Sequence, residues 1–211
     1  MLKIDNYTAG YTDSNYLFQE VSLEIPPKHV VGIKGTNGCG KSTFIKGLIN
    51  LVPVKKGTVL LNGVDISKWE TAKIFQTKQI GYLSQRERIF GHLTVLENIQ
   101  MYRYYSQDKK LPDTDISKKL FAIIESKQNL LASTLSGGEQ LILALYCLEI
   151  LNPNILLLDE PSDSLDNNFK TILIDLISYW KMSGKAILLV EQNIEILNLV
   201  SNNILILKQY E

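Results

Sequence analysis

Cysteine and histidine are scarce in this sequence, and long apolar runs are missing from it. The 211 residues include two cysteines and two histidines. Because Cys39 and Cys147 stand far apart and form no CxxC pair, neither a disulfide framework nor a zinc site is expected. The longest apolar run, Leu141 to Leu148, covers eight residues, far fewer than the roughly 18 that span a bilayer. We therefore expect a protein that is soluble by itself and carries no signal peptide.

An excess of charge of one sign is absent too. The chain carries 22 basic and 22 acidic residues, which argues against nucleic acid as a partner. The sum hides a gradient, since residues 1–85 hold ten lysines against six acids and residues 151–211 hold four basic residues against eight acids. The basic end contains the first motif described below, and anions are its natural ligands.

Strands and helices alternate along the chain. Strands are predicted at residues 21–25, 30–33, 58–61, 64–66, 80–83, 155–158, 186–190 and 204–207. Helices are predicted at residues 42–51, 94–105, 136–152 and 167–182, with a further short helix before the last strand. The β-rich first sixty residues indicate an N-terminal antiparallel subdomain, and the later alternation indicates a mainly parallel core sheet covered by helices. Polar, helix-forming residues at about 86–135 predict an inserted helical subdomain within one domain over 1–211.

A glycine-rich motif joins the predicted strand at residues 30–33 to the helix that follows. The motif, Gly35-Thr36-Asn37-Gly38-Cys39-Gly40-Lys41-Ser42, matches the phosphate-loop pattern G-x-x-x-x-G-K-[ST]. Its glycines allow backbone N–H groups to surround phosphate oxygens, and the helix directs its positive N-terminus at them. Lys41 is expected to reach the β- and γ-phosphates, and Ser42 to coordinate Mg²⁺. The P-loop residues predicted to bind nucleotide are Gly35, Thr36, Asn37, Gly38, Cys39, Gly40, Lys41, Ser42 and Thr43.

Two carboxylates follow a second apolar strand. Residues 155–158 lead directly into Asp159 and Glu160, and ligands of open α/β sheets bind at the carboxyl edge where these side chains would lie. Asp159 is expected to hold Mg²⁺, directly or through water. Glu160 is expected to act as the general base that polarises the attacking water.

A second glycine pair opens a later helix. Leu135-Ser136-Gly137-Gly138-Glu139-Gln140 lies where Ser136 is 95 residues after Lys41 and 23 before Asp159. Ser136 and Glu139 have the spacing of a capping box, which predicts that a helix starts here. Two glycines and a capping serine leave that start bare, which predicts another phosphate-seeking N-terminus. The chain therefore resembles the ATP-binding subunits of ABC transporters, in which LSGGE or LSGGQ is the signature motif.

That resemblance implies a dimer in which two subunits enclose two ATP molecules. Each ATP would lie between one Lys41 loop and the partner's residues Ser136, Gly137, Gly138 and Glu139. The resemblance further implies a lid glutamine at the Mg²⁺ site, Gln85, and an adenine-stacking aromatic residue, Tyr11, with Tyr16 as a competitor. Residues 164–166 match a loop that crosses the dimer interface.

One position departs from the usual family pattern. Gln192 occupies the place after the strand at residues 186–190 where the family usually has a histidine that contacts the γ-phosphate. Glutamine can donate a hydrogen bond to phosphate but cannot carry positive charge. The sequence around it, Leu188 to Asn193, resembles that of the branched-chain amino-acid and urea importer branch.

The resemblance implies an ATPase subunit at the cytoplasmic face of the membrane that drives membrane-spanning permease partners through a segment near residues 85–98. Homodimer and heterodimer both remain open, as do the transported substrate and its direction. Two alternatives remain as well. One is a soluble ABC-type ATPase acting on DNA or ribosomes, which the single phosphate loop and the lack of heptads oppose. The other is a regulatory module that binds ATP but hydrolyses it weakly, which Glu160 opposes and Gln192 favours.

Overall fold

The fold is described from a computed structural model. The described residues are 1–12, 15–18, 20–86, 88–106, 110–163 and 165–208. The predicted interface loop at residues 164–166 begins with Ser164, which lies outside them. Among the described residues, none of the helices combines the length and the apolar character that a membrane crossing requires.

Ten strands and seven helices run through this part of the chain. The strands are β1 (Leu2–Thr12), β2 (Asn15–Tyr16), β3 (Val21–Ile25), β4 (Val30–Lys34), β5 (Val54–Leu61), β6 (Val64–Asp65), β7 (Ile80–Leu83), β8 (Ile155–Asp159), β9 (Ala186–Val190) and β10 (Asn203–Ile206). The helices are α1 (Lys41–Leu48), α2 (Thr71–Gln76), α3 (Val95–Tyr105), α4 (Asp115–Ile124), α5 (Gly137–Leu151), α6 (Asn167–Met182) and α7 (Ile194–Val200).

The antiparallel sheet is built around β1. This strand pairs with β2, β3 and β5, and β5 also pairs with β6. Asn62 and Gly63 join β5 to β6 with positive φ angles of 49° and 83°, which is the backbone that a tight hairpin of the type I′ class requires. The predicted hairpin is thus confirmed, whereas β1, the longest strand of this sheet, was not predicted as a separate element.

The second sheet is wholly parallel, with the strand order β10-β4-β9-β8-β7. All residues of β8 and β9 are buried, because both faces of the sheet are covered. One face packs on α1 and the antiparallel sheet, and the other packs on the helices that include α3, α5 and α6. The predicted α/β architecture with a mainly parallel core is confirmed. Parallel strands end at one edge, which brings the segments after β4, β7, β8 and β9 together.

Helix α1 is shorter than predicted. It ends at Leu48 rather than at residue 51, because Asn50 takes the left-handed conformation with φ 61°. The Leu51 N–H then donates to the Lys46 carbonyl at 2.8 Å and the Asn50 N–H to the Gly47 carbonyl at 3.0 Å. These two bonds form a Schellman end. The predicted end of α5 is confirmed, since Asn152 closes it with φ 50°.

Candidate active site

The candidate site lies at the carboxyl edge of the parallel sheet, where the topology brings four segments together. A cleft of about 410 Å³ is lined by the loop after β4 together with Gln85, Glu160 and Gln192, which follow β7, β8 and β9. The phosphate-loop residues that line it are Asn37, Gly38, Gly40, Lys41, Ser42 and Thr43. The loop before α1 contains Gly38 and Gly40 with φ angles of 84° and 94°, which only glycine adopts without steric cost.

Lys41 lies at the centre of the cleft. Its side chain is 4% exposed, and its Nζ donates to the carbonyls of Gly35 and Thr36, each at 3.0 Å. The same Nζ lies 3.5 Å from Glu160 Oε1. Helix α1 begins here with no side-chain cap and with no acidic residue in its first turn. A buried cation and an uncapped helix start therefore adjoin each other, which favours binding of an anion.

Ser42 and Asp159 form a pair beside this cation. Ser42 Oγ donates to Asp159 Oδ1 at 3.1 Å, while Asp159 Oδ2 is buried without a hydrogen-bond partner among the described residues. Burial raises the pKa of Asp159 to about 6, against the lowering effect of the Ser42 hydrogen bond. A buried carboxylate oxygen without a donor, next to a hydroxyl, fits a hard divalent cation.

These two residues can hold Mg²⁺ without a larger cluster. In the described part of the chain, no group of three or more His, Cys, Asp or Glu side chains could hold a metal ion. Proteins commonly hold Mg²⁺ by one or two carboxylates, and substrate phosphates and water fill its remaining positions. The donor set of Ser42 and Asp159 therefore fits the predicted ion.

Glu160 is held by donors from three segments. Its Oε2 accepts hydrogen bonds from Gln85 Nε2 at 2.8 Å and from Gln192 Nε2 at 2.9 Å, and its Oε1 faces Lys41. Its backbone is left-handed, with φ 46°, a conformation that costs a residue with a side chain about 1–2 kcal/mol. The predicted base and both predicted glutamines thus meet at one carboxylate.

The start of α5 carries the predicted capping box. Ser136 Oγ accepts the Glu139 N–H at 3.4 Å and Glu139 Oε2 accepts the Ser136 N–H at 3.1 Å, so this helix start is less bare than its two glycines suggest. Glu139 Oε1 also binds Lys127 Nζ at 2.5 Å. The two glycines have different surroundings: a side chain on Gly137 would meet open space, whereas one on Gly138 would overlap the Phe169 ring at 2.5 Å. Gly138 therefore allows α5 to pack closely on α6.

Two further predicted residues lie at the edges of the site. Tyr11, at the end of β1, is 56% exposed, so its ring is accessible to a ligand. Cys39 is fully buried, and a side chain on Gly35 would lie 2.4 Å from its Sγ. The Cys39 thiol therefore faces the interior, and only the backbone of this residue can face a phosphate.

The comparison with protein families decides the assignment. A family model described as ABC transporter matches residues 18–163. This chain belongs to the ABC transporter family. It is an ATP-binding subunit of that family and an ATPase.

Individual relatives agree with the family. The probable branched-chain amino acid transport ATP-binding protein LivF of Archaeoglobus fulgidus is 34% identical over 206 residues, which are 96% of this chain and 86% of that relative. The high-affinity branched-chain amino acid transport ATP-binding protein BraG of Pseudomonas aeruginosa is 30% identical, over 92% of this chain and 82% of that relative. The predicted resemblance to ABC ATP-binding subunits and to this branch is confirmed.

Solved structures agree on the fold. The structure of an ATP-binding subunit of an ABC transporter superimposes with a TM-score of 0.84 at 23% identity, covering 99% of this chain and 86% of that one. The dimeric structure of a bacterial ABC transporter cassette gives a TM-score of 0.81 at 22% identity, covering 99% and 94%.

Sequence reasoning missed two residues around the ABC site. Arg88 Nη2 donates to the Glu160 carbonyl at 3.1 Å. Glu191 Oε1 accepts the Ser162 N–H at 2.8 Å, and burial raises the pKa of the Glu191 carboxyl. Glu191 thus ties the segment after β9 to the segment after β8. Its place directly before Gln192 is a signal that could have identified it, whereas no local pattern indicates the contact of Arg88.

Proposed function

We propose that this subunit binds and hydrolyses Mg-ATP as one half of a dimer and thereby drives transport through membrane-spanning permease partners. The observation that carries the proposal is the meeting of Lys41, the Ser42–Asp159 pair and Glu160 in one cleft beside the uncapped start of α1. A cation, a metal-binding pair and a base are the groups that phosphoryl transfer to water needs.

Each group has a separate task in this proposal. Lys41 and the loop from Gly35 to Thr43 bind the phosphates, and Tyr11 stacks on the adenine. Ser42 and Asp159 hold Mg²⁺, which when bound neutralises charge on the phosphate oxygens, and Gln85 serves as the lid residue of that site.

Glu160 accepts the proton of the attacking water. Its carboxylate faces the Lys41 cation and two neutral amide donors, Gln85 and Gln192, which fix its orientation. Gln192 Nε2 donates to the base itself, so this residue orients Glu160 in addition to any contact with the γ-phosphate.

The second half of each ATP site comes from another subunit. The start of α5, residues 136–139, would contact the partner's γ-phosphate. The dimeric solved cassette supports the pairing of two subunits. Ser136 can serve both tasks because a hydroxyl that accepts the Glu139 N–H keeps its own O–H donor.

Backbone hydrogen bonds join the proposed permease-contact segment, residues 85–98, to the segment just before α5. The Ala132 N–H donates to the Leu93 carbonyl at 2.9 Å, and the Ser133 N–H donates to the Gly91 carbonyl at 3.0 Å. Movement of the proposed permease-contact segment, residues 85–98, would therefore move residues 132–136 with it. At the cytoplasmic face of the membrane, this route links hydrolysis to the permease. The names of the relatives support a transporter of the branched-chain amino-acid branch.

The test of the proposal is Glu160→Gln. This change keeps the size and the hydrogen-bonding positions of the side chain but removes the base, so turnover should fall roughly 10²–10⁴-fold while ATP still binds. With Mg-ATP the variant should accumulate as a dimer in size-exclusion chromatography. The matched control is Glu125→Gln, which neutralises a carboxylate in the helical region and should leave turnover unchanged. A Glu160→Gln protein that hydrolyses ATP normally and stays monomeric would contradict the proposal.

A further inference from the structure

Arg88 joins the ends of two neighbouring strands. It lies in the segment after β7, is half-buried, and its Nε donates to the Ser84 carbonyl at 3.2 Å. Its Nη2 donates to the Glu160 carbonyl at 3.1 Å. One guanidinium thus contacts the backbone directly after β7 and the backbone directly after β8.

The Glu160 peptide group is held from both sides as a result. Its N–H donates to the Val190 carbonyl at 2.9 Å, and its carbonyl accepts from Arg88. Between these two bonds the residue keeps the left-handed backbone with φ 46°. A residue other than glycine keeps such a conformation only when its surroundings enforce it. The direction of the Glu160 side chain depends on this backbone.

Charge reinforces the contact. Asp163, Glu191 and Asp159 all attract the Arg88 guanidinium, while burial lowers its pKa; arginine nevertheless stays protonated in proteins. A charged donor makes a stronger hydrogen bond to a carbonyl than a neutral one does.

We propose that Arg88 is a positioning residue for ATP hydrolysis: it ties the backbone carbonyl of Glu160 to the end of β7 and thereby keeps the base aimed at the attacking water. The inference rests on the proposed role of Glu160. Because Arg88 donates only to backbone carbonyls in these two bonds, it acts through Glu160 and not on the nucleotide. Its planar fork places two separate nitrogens, Nε and Nη2, on the two carbonyls, whereas a lysine would have to serve both from one nitrogen on a flexible stem.

The first experiment is Arg88→Met, with steady-state ATPase kinetics of the full chain. Loss of a charge-assisted hydrogen bond to the base should lower kcat roughly 10- to 100-fold and change the KM for ATP less than about threefold. Thermal unfolding checks that the variant is folded. The matched control is Arg103→Met, which removes an exposed guanidinium on α3 and should leave both constants unchanged. A rise in KM as large as the fall in kcat, or an unchanged kcat, would overturn the inference.

Arg88→Lys tests the forked geometry. It keeps the charge but supplies only one ammonium group, so kcat should remain at least about threefold below that of the unaltered protein. Full activity in Arg88→Lys would show that charge alone suffices and would overturn the two-carbonyl tether.

A double-mutant cycle separates this inference from the proposed function. If Arg88 acts through Glu160, Arg88→Met should lower the residual turnover of Glu160→Gln by less than about twofold. A further tenfold loss in that background means that Arg88 acts elsewhere and overturns the inference alone. If Glu160→Gln by itself keeps normal turnover, the proposed base is wrong, and the inference falls with it.

Discussion

The chain contains two glycine-rich helix starts, and they satisfy their backbone N–H groups in different ways. Helix α1 follows Gly40, has no side-chain cap and has no acidic residue in its first turn. Helix α5 follows Ser136, and Ser136 and Glu139 form a complete capping box. The first start is open to an external anion, whereas the second is already partly satisfied by its own side chains. Glycine content alone therefore does not show which helix start is open to a ligand; the residues on either side of the glycines do.

The charges beside the two starts differ in the same way. Lys41 is buried at the α1 start, and its cation faces into the cleft. At the α5 start the nearest ion pair, Lys127 with Glu139, is partly exposed and neutralises itself. The α1 start is thus suited to bind phosphate by itself, while in the proposed dimer the α5 start would supply a weaker contact. This difference suits a site that binds ATP first and recruits the second subunit afterwards.

Lys41→Ala should produce the largest effect on ATP binding, because it removes the buried cation from the α1 start. The variant loses several charge-assisted bonds to phosphate in a buried site, so ATP affinity should fall at least about 100-fold. Binding of a fluorescent ATP analogue to the isolated subunit measures it. Lys118→Ala, which removes an exposed lysine paired with Asp113, is the control. Affinity within twofold of the unaltered protein would contradict the phosphate-loop assignment.

A carboxylate lies beside each of the two helix starts, and the pKa values of these carboxylates are shifted in opposite directions. Burial raises the pKa of Asp159 to about 6, whereas the hydrogen bond from Lys127 lowers the pKa of Glu139. Acidification from about pH 8 to about pH 5 should therefore protonate Asp159 and leave Glu139 charged. Since Mg²⁺ needs the carboxylate form of Asp159, Mg²⁺-dependent ATP binding should weaken over this range.

Asp159→Asn isolates this group. Because the folded-state pKa is raised from 3.8 to about 6, Asp159 favours folding below pH 4 and loses that contribution as the pH rises through 6. Asparagine carries no charge, so at pH 8 and without magnesium the variant should be more stable than the unaltered protein by about 1–3 kcal/mol. The variant should not hydrolyse ATP. Urea unfolding at pH 5 and pH 8 measures the difference; a variant less stable than the parent at pH 8 would contradict the account.

Local patterns explain which features could be predicted. The phosphate loop, the carboxylates at 159–160 and the capping box at Ser136 and Glu139 each lie within one short stretch of chain, where spacing carries the signal. Strand β1 was missed because its identity depends on distant partners, such as Leu2 opposite Leu61, and because its register shifts between Asp5 and Thr8.

Arg88 was missed for a different reason. Its acceptors are backbone carbonyls, which every residue possesses, so no side-chain pattern marks the contact. The contact of Gln192 with Glu160 was hidden as well, because only the pairing of β8 with β9 brings the two strand ends together.

Ser136→Ala should have the smallest effect on turnover, and it distinguishes the role of the α5 start from that of the α1 start most clearly. Ser136→Ala removes the hydroxyl that would contact the partner's nucleotide, so turnover should fall roughly three- to tenfold. ATP affinity of the isolated subunit should stay unchanged, which is the reverse of Lys41→Ala. Turnover at several protein concentrations and equilibrium ATP binding measure the two quantities.

Ser136→Gly distinguishes a lost phosphate contact from a weakened helix. Replacing a serine cap by alanine costs about 1 kcal/mol of helix stability, but replacing it by glycine costs only a few tenths. If the hydroxyl acts on the partner's phosphate, both variants should lose turnover equally, since both lack it. If the capping box is the whole role of Ser136, the glycine variant should keep nearly full turnover while the alanine variant loses it. That second outcome would leave the α5 start as a structural feature and would remove Ser136 from the shared ATP site.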